Sequence, residues 1–278
     1  MNPLEFSLAI CFTSVLAGFL GSLTGLGGGV VIVPVLCLLF KVDLHYAIGA
    51  SLVSVIATSS GAAAAYVREG YSNIRIGMFL EVATTLGALL GAYLTAMVSA
   101  RWIGVVFGAV LLYSAWTSMR QHEDASVAPH PDSLASRLQL YGSYPVAGGT
   151  QEYMAVHVPA GFSVMFVAGT LSGLLGIGSG AVKVLAMDQA MKLPFKVSTT
   201  TSNFMIGVTA AASAGLYLHH GYIQPALAMP VMLGVLAGSV IGSRMLIGAR
   251  VKTLRILFSV VIVVLGLEMI FNGLMGRL

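Results

Sequence analysis

Two clusters of glycine interrupt long apolar stretches and constrain the fold of this chain more than any other feature. The first cluster is TGLGGG at residues 24–29, and the second is LGIGSG at residues 175–180. Inside a membrane, backbone that leaves the helix is tolerated only where protein covers it or where it lines a polar cavity. Paired breaks in the two halves of one chain are typical of the binding site of a transporter.

The chain is too apolar to be a soluble protein. Hydrophobic residues make up 57% of it and charged residues only 9%, whereas about 25% of a soluble domain is charged. The apolar segments are much longer than the ~10-residue strands of a membrane barrel, so we predict an all-α polytopic membrane protein in the lipid bilayer. No basic region precedes the first apolar segment, so a cleaved signal peptide is not expected. The chain contains no basic run, and no nucleic-acid partner is expected.

The sequence repeats itself after 151 residues. Residues 17–107 align with residues 168–258 without a gap, and glycines, hydroxyl residues and one lysine keep the same register. The matches include Gly25/Gly176, Gly27/Gly178, Gly29/Gly180, Lys41/Lys192, Ser51/Ser202 and Thr58/Thr209. A fixed period of this kind indicates a duplicated structural unit. We therefore predict a first transmembrane repeat at residues 1–120, a connecting loop at 121–157 and a second repeat at 158–278.

Each half is expected to begin with a hairpin and to continue with three membrane segments. Residues 3–40 are too long for one crossing of ~20 residues and too short for two, so the glycine cluster predicts a re-entrant hairpin, with residues 159–190 as its counterpart. The later segments are predicted at residues 44–67, 74–98, 102–119, 196–219, 223–247 and 252–275. Two small-residue faces, Gly87 with Gly91 and Gly238 with Gly242, would suit helix packing within the chain or in a homodimer.

The connecting loop is the one polar stretch. Residues 138–141 and 153–158 are expected to pair as a small β-hairpin. The spacing of His122, His130 and His157 matches no metal-ligand pattern, so we interpret them as solvated loop histidines. Neither a metal nor another cofactor is expected.

The positive-inside rule separates two topologies. If the hairpins are re-entrant, each half crosses the membrane three times and the halves are inverted repeats, with ten basic residues on one side and three on the other. If each hairpin crosses once, the halves are parallel, and the split is eight to five. The ten are Arg68, Arg75, Arg120, Arg137, Lys192, Lys196, Arg244, Arg250, Lys252 and Arg255. The distribution favours inverted repeats in the plasma membrane, with loop 121–157 in the cytoplasm and both termini outside.

In that arrangement the two glycine turns lie near the middle of the membrane and enter from opposite faces. The helical arms that follow, from Val30 and Ala181, would present free N-termini, which carry unpaired N–H groups and a partial positive charge. Two such ends facing one cavity would bind an anion. The candidate substrate-binding residues of the turns are Gly27, Gly28, Gly29, Gly178, Ser179 and Gly180.

Lys183 is the strongest single candidate for a substrate-binding residue. It follows the second glycine cluster by three residues, at a position where the first half has Ile32. An ionisable group at membrane depth is costly and indicates function, here the attraction of a substrate anion. The alternative is that its side chain snorkels to the interface.

Residues 198–203 (STTTSN) open the segment after the second hairpin. Helix capping would explain one or two of them, but six hydrogen-bonding residues in a row exceed that need. We predict that Thr201, Ser202 and Asn203 line a cavity for an oxyanion, and that Ser51, the first-half equivalent of Ser202, does the same.

Two carboxylates lie inside predicted membrane segments, Glu81 and Glu268. A carboxyl group in the membrane can carry a proton, so Glu81 is a candidate for proton coupling; Glu268, nearer to an end, is a weaker one. His219 and His220 are interpreted as interfacial, with pH sensing as the alternative. Cys11 and Cys37 are interpreted as packing residues, with a thiol relay for a sulfur substrate as the alternative.

No catalytic constellation is visible. The sequence offers no nucleophile–base pair, no paired carboxylates and no phosphate-binding loop with a following lysine and hydroxyl. An enzyme is therefore not expected.

The chain resembles the sulfite exporter TauE/SafE family, also called the toluene sulfonate uptake permeases. The resemblance covers nearly the whole chain and rests on GLGGG at residues 25–29, Pro34, GIGSG at 176–180, MKLP at 191–194 and TSNF at 201–204. It implies two helical bundles and transport of small sulfur-containing or organic anions such as sulfite, sulfoacetate or other sulfonates. Ser179 replaces a usual glycine and Leu185 a usual proline, which affects the substrate more than the fold.

The sequence thus predicts a secondary transporter that moves a small anionic substrate by alternating access. The alternative within transport is a channel-like anion pathway. The alternative outside transport is a membrane-embedded enzyme or sensor.

Overall fold

The computed structural model describes residues 3–22, 28–68, 72–119, 133–146, 149–246 and 251–277, which are mostly helical. The first half contains α1 (Pro3–Ser22), α2 (Gly29–Leu38), α3 (Leu44–Arg68), α4 (Ile74–Thr95) and α5 (Ala100–Met119). The connecting segment contains α6 (Ser133–Arg137), β1 (Tyr141–Val146) and β2 (Gly149–Met154). The second half contains α7 (Val158–Leu175), α8 (Gly180–Leu185), α9 (Phe195–His219), α10 (Pro225–Leu246) and α11 (Val251–Leu274). One turn of π-helix, Ala186–Ala190, extends α8.

All six of the later predicted segments are helical, and the second glycine cluster separates α7 from α8. Residues 23–27, which hold most of the first cluster, lie outside the described residues. Three described helical stretches are long and apolar enough to cross a membrane: Ile74–Thr95, Ala100–Thr117 and Val158–Leu175. Shorter apolar stretches of 10–17 residues occur in α1, α2, α3, α10 and α11. The chain is therefore a helical membrane protein.

Exposed and buried side chains are distributed as lipid surroundings require. Large apolar side chains such as Phe12, Leu86 and Val264 are exposed on the outer faces of the helices. Serine and threonine side chains are buried between the helices, where their hydroxyls bond to helix carbonyls or to neighbouring helices.

The two halves begin their helices at matching positions. The starts of α2, α3, α4 and α5 precede those of α8, α9, α10 and α11 by 151 residues each. The turns that precede α3 and α9 also match, because Lys41 (φ 53°) and Lys192 (φ 56°) are both left-handed. The Val42 N–H donates to the Leu36 carbonyl at 3.1 Å, and the equivalent Leu193 N–H donates to the Met187 carbonyl at 2.9 Å.

Helices of the two halves pack on one another through glycine. Gly87 of α4 lies against the Phe166 carbonyl of α7, and Gly91 lies one turn further along, against the Thr170 carbonyl. Residue numbers rise together along both helices, so α4 and α7 run parallel. The glycine face that would suit a homodimer is therefore occupied within this chain on α4.

The equivalent pair in the other half has the same geometry. Gly234 of α10 lies against the Cys11 carbonyl of α1, and Gly238 lies against the Val15 carbonyl. Helices α1 and α10 are therefore parallel as well. Each half contributes its first long helix to pack against α4 or α10 of the other half.

Helices α5 and α11 pack in the opposite sense. Gly108 of α5 lies against Gly266 of α11, whereas Gly273, further along α11, lies against Arg101 at the beginning of α5. The two helices are therefore antiparallel, although they occupy equivalent positions in the two halves.

The connecting segment forms a β-hairpin, as predicted, but with different strands. β1 pairs antiparallel with β2 from Tyr141↔Met154 to Val146↔Gly149, so the predicted strand at 138–141 is wrong apart from its last residue. Residues 138 and 139 instead form a turn after the unpredicted helix α6.

The hairpin is anchored to both halves through Asn73. The Asn73 Nδ2 group donates to the Tyr153 hydroxyl at 2.9 Å, and its backbone N–H donates to Thr201 Oγ1 at 3.0 Å. Burial raises the pKa of Tyr153, which the Asn73 bond partly opposes, so this phenol remains neutral near pH 7.

Candidate functional site

The start of α2 meets the second glycine turn inside the bundle. A β-carbon at Gly29, the first residue of α2, would lie 2.6 Å from Ser51 Oγ and 3.3 Å from the Gly176 carbonyl oxygen. Ser51 Oγ in turn donates to that carbonyl oxygen at 2.7 Å. Only glycine leaves room for this approach. Gly28 packs near Gly18 and Val235, while Gly27 lies outside the described residues.

The second turn is held in left-handed backbone conformations. Gly176 (φ 67°), Gly178 (φ 71°) and Ser179 (φ 47°) all lie in the region that favours glycine. Gly180 then starts α8, and the Lys183 N–H donates to the Ser179 carbonyl at 3.0 Å. Ser179 Oγ is buried and has no hydrogen-bond partner among the described residues, which is costly unless a ligand or water supplies one.

Lys183 does not snorkel. Its side chain is 0% exposed, and its Nζ donates to Thr209 Oγ1 at 2.5 Å. Among the residues whose burial the structure describes, it is the one buried lysine or arginine. A lysine buried in a membrane bundle needs compensating polar contacts, and Thr209 supplies the first of them.

Thr209 joins Lys183 to Glu81. The Thr209 hydroxyl accepts from Lys183 and donates to Glu81 Oε1 at 2.7 Å. Glu81 is 7% exposed, and its Oε1 also accepts from Thr85 Oγ1 at 3.1 Å. Glu81 Oε2 has no hydrogen-bond partner in the described part of the chain. A buried ammonium and a buried carboxylate are thus connected through one hydroxyl, with one carboxylate oxygen left over.

This chain of groups crosses between the halves. Glu81 comes from α4 of the first half, whereas Lys183 and Thr209 come from α8 and α9 of the second. The other carboxylate considered, Glu268, is exposed on α11, and nothing connects it to this cluster.

The polar side chains of residues 198–203 make two kinds of contact, some to nearby backbone and some to other elements. The capping explanation is wrong, because α9 begins at Phe195 and its N-cap is Pro194. Ser198, Thr199 and Thr200 donate to carbonyls of residues three to five positions earlier. These three side chains therefore satisfy local backbone groups.

The second part of the run faces other elements. Thr201 accepts from the Asn73 backbone, and Ser202 Oγ donates to the Gly180 carbonyl at 3.3 Å. Asn203 is half-buried and has no hydrogen bond to another described residue. Ser202 therefore lies beside the second glycine turn, as Ser51 does, and Asn203 keeps an amide available.

Thr209 and Thr85 were not predicted as site residues from the sequence. The only signal for Thr209 was its match to Thr58 in the repeat. Thr85 follows Glu81 by one helical turn, which is the spacing at which two side chains on a helix meet.

The remaining candidates lie apart from this cluster. His157 is exposed at the start of α7, and His219 and His220 are exposed at the end of α9; His122 and His130 lie outside the described residues. No group of three or more histidine, cysteine, aspartate or glutamate residues occurs among the described ones. Cys37 is buried and Cys11 half-buried, and both are free thiols.

Comparison with known proteins gives the context for this geometry. The chain matches the family model described as Sulfite exporter TauE/SafE over residues 10–269. It belongs to the sulfite exporter TauE/SafE family. The resemblance inferred from the glycine clusters and the TSNF motif is thereby confirmed.

Curated relatives of this TauE/SafE family member are named as transporters. The probable membrane transporter protein YunE of Bacillus subtilis is 27% identical over 93% of this chain and 95% of its own length. YdhB of the same organism is 24% identical over 85% and 87%, and a probable membrane transporter protein of Xylella fastidiosa is 25% identical over 82% and 80%. No solved structure matches the chain. The chain is a membrane transporter and not an enzyme.

Proposed function

We propose that this protein is a secondary transporter of small sulfur-containing or organic anions, such as sulfite, sulfoacetate or other sulfonates, across the plasma membrane. The observation that carries the proposal is Lys183, a fully buried amine that follows the left-handed turn before α8. A positive charge at that depth attracts an anion, and the adjacent irregular backbone is typical of transporter sites.

The groups around Lys183 suit an oxyanion. Ser179 Oγ is a buried hydroxyl without a partner among the described residues, and Asn203 offers an amide on α9, six residues before Thr209. Ser51, Thr201 and Ser202 add hydroxyls near the same turns. A sulfonate or sulfite group presents three oxygens, which can accept from an ammonium, a hydroxyl and an amide at once.

We further propose that residues 1–120 and 158–278 are inverted repeats that give alternating access. The antiparallel packing of α5 against α11 supports this, because a rotation that exchanges these equivalent helices must reverse their direction. Gly28 lies beside Val235, near the middle of α10, which supports a hairpin that turns back inside the membrane. The distribution of basic residues supports a cytoplasmic position for loop 121–157 and a position outside the cell for both termini.

The test is uptake of a radiolabelled sulfonate into proteoliposomes, competed by sulfite, sulfoacetate, taurine, carboxylates and chloride. We expect saturable uptake that sulfur oxyanions inhibit, and a loss of at least about tenfold in Lys183→Met, since about 1.4 kcal/mol of binding energy corresponds to tenfold. The matched control is Lys196→Met, which removes an exposed lysine of α9 and should leave uptake unchanged.

Three results would contradict the proposal. Flux that rises linearly with concentration would indicate a channel-like pathway instead of a carrier. Uptake unchanged in Lys183→Met would remove this lysine from the site. Folded wild-type protein that neither binds nor moves any of these anions would show that sulfur oxyanions are not its substrates.

A further inference from the structure

The buried charges at the centre of the bundle balance before any substrate arrives. Lys183 contributes one positive charge and Glu81 one negative charge, joined through Thr209. No ion pair within 4.0 Å links them directly among the described residues. The cluster as it stands is therefore a neutral unit with the carboxylate as the counter-ion of the lysine.

A substrate anion would upset this balance. Adding a monoanion to the ionised pair gives the site a net charge of −1, and an uncompensated charge in a membrane interior costs several kcal/mol. The anion would also compete with the Glu81 carboxylate for the same ammonium group. Anion binding is compatible with this geometry only if Glu81 gives up its negative charge at the same time.

We propose that Glu81 is the binding site for a proton that is transported together with the substrate anion. This rests on the function proposed above. In the empty state Glu81 is ionised and paired with Lys183 through Thr209. In the loaded state the proton sits on Glu81 and the anion takes over Lys183, so both states have zero net charge.

The free oxygen of the carboxylate fits this role. Oε1 is committed to Thr209 and Thr85, while Oε2 is buried without a partner in the described part of the chain. A proton on Oε2 would leave the two bonds to Oε1 in place, because a protonated carboxyl keeps an accepting oxygen. Protonation thus removes the charge without dismantling the surroundings.

A metal cation fits the site less well than a proton. Lys183 belongs to the same hydrogen-bonded chain and would repel a second cation. Calcium takes six to eight oxygen ligands, whereas Glu81 Oε2 is the one carboxylate oxygen of this hydrogen-bonded chain that has no partner among the described residues. A proton needs a single oxygen and leaves no charge behind.

The other titratable groups on Glu81's own helix, Arg75 and Tyr93, are exposed. Asp188, in the π-helical turn after α8, is buried as well and lies five residues beyond Lys183. Helix α7 has no titratable group, and α9 has Lys196, Tyr217 and His219. Along α9, Tyr217 lies about 12 Å and Lys196 about 20 Å from Thr209, at 1.5 Å per residue. His219 is exposed at the helix end. Lys183 is therefore the charge to which Glu81 responds.

The coupling makes the proton and the anion move in the same direction. Cotransport of one proton with one monoanion is electroneutral, so a pH gradient of one unit can maintain a tenfold concentration gradient of the anion. When the outside is the more acidic side, the coupling drives uptake. A sulfonate is a suitable probe because it stays a monoanion at all working pH values, so any pH dependence arises in the protein.

The experiment measures sulfonate accumulation and internal pH in the same proteoliposomes, with the membrane potential clamped at zero and with sodium absent. Wild type should accumulate the sulfonate about tenfold per unit of inward pH gradient and should acidify the interior as the anion enters. Sulfonate affinity in wild type should rise as the pH falls, by up to tenfold per unit.

Glu81→Gln is the informative variant because glutamine imitates the protonated carboxyl. It should bind the sulfonate with an affinity independent of pH and should still exchange internal for external sulfonate. It should show no accumulation under a pH gradient and no proton uptake, and its net uptake should fall by at least about tenfold, because its empty site holds an uncompensated lysine. Glu268→Gln, which changes an exposed carboxylate of α11, should behave as wild type.

The outcomes separate this inference from the proposed function. Saturable sulfonate uptake in wild type without proton movement would overturn the inference and leave the function intact. Proton-coupled accumulation that persists in Glu81→Gln would assign the proton to another residue. Wild-type protein without any sulfonate binding would contradict the function itself. If Glu81→Gln does not fold, the wild-type proton measurement still decides.

Discussion

Replacing Thr209 by valine tests whether the central hydroxyl connects the two buried charges. Valine keeps the size and the branching of threonine, so it opens no cavity. The hydroxyl accepts from Lys183 Nζ at 2.5 Å and donates to Glu81 Oε1 at 2.7 Å. Hydrogen bonds to charged groups contribute about 1.5–3 kcal/mol each, so losing both predicts a destabilisation of roughly 3–6 kcal/mol.

The repeat provides a matched control. Thr58 occupies the equivalent position in α3, but its hydroxyl donates only to carbonyls of its own helix, Ser54 at 3.0 Å and Val55 at 3.2 Å. Thr58→Val therefore removes only a hydrogen bond to the backbone of its own helix, which should lower the free energy of unfolding by about 1 kcal/mol or less. The difference between the two variants isolates the contacts to Lys183 and Glu81.

The assay is thermal unfolding of the purified proteins in detergent, followed by circular dichroism. At about 2–4 °C per kcal/mol for a chain of comparable length, Thr209→Val should lower Tm by at least about 6 °C, and Thr58→Val by less than about 4 °C. Thr209→Ser retains the hydroxyl and should restore most of the loss. The reasoning is refuted if both valine variants lower Tm equally, or if Thr209→Ser is as unstable as Thr209→Val.

Two further predictions concern the turn and the topology. Ser179→Val should reduce saturable sulfonate uptake at least about tenfold, because β-branched residues rarely adopt the left-handed conformation at φ 47°. The control variant Ser179→Gly should retain uptake. Full activity of the valine variant would make the turn purely structural. In a chain carrying Cys11→Ala and Cys37→Ala, Ser136→Cys should react only with thiol reagents that reach the cytoplasm and Ser99→Cys only with reagents outside. The opposite pattern would reverse the proposed orientation.

The helices and the breaks between them were predictable because their signals are local. Glycine clusters interrupt helices wherever they occur in membrane segments, and the repeat fixes where the second set of helices begins once the first is known. Lys183 was predictable for a similar reason, since a lysine within an apolar stretch costs free energy in any fold. Each of these inferences needs only neighbouring residues or a single period.

The bridge through Thr209 was not predictable, because its two partners lie far away in sequence. Glu81 is separated from Thr209 by 128 positions. A threonine in an apolar helix usually bonds to a carbonyl of its own helix, as Thr58 does, and nothing nearby marks Thr209 as different. The segment predicted at 196–219 matches α9, which begins at Phe195. The pattern 198–203 nevertheless gave no sign that Ser198, Thr199 and Thr200 donate to nearby backbone carbonyls.

The charges break the symmetry of a backbone that is otherwise repeated. At the positions equivalent to Lys183 and Glu81 the chain has Ile32 and Met232, whereas the equivalent of Thr209 is again a threonine. The duplicated segments therefore differ in charge, and the Lys183–Glu81 pair has no counterpart at the equivalent positions of the sequence.

One contact between the halves depends on the charge of Glu81, because the Thr209–Glu81 bond links α4 to α9. On the proposal above, loading with a proton turns this bond into a neutral one, which is about half as strong. The same event that admits the anion thus weakens this contact between the halves, and this links occupancy of the site to the motion that alternating access needs.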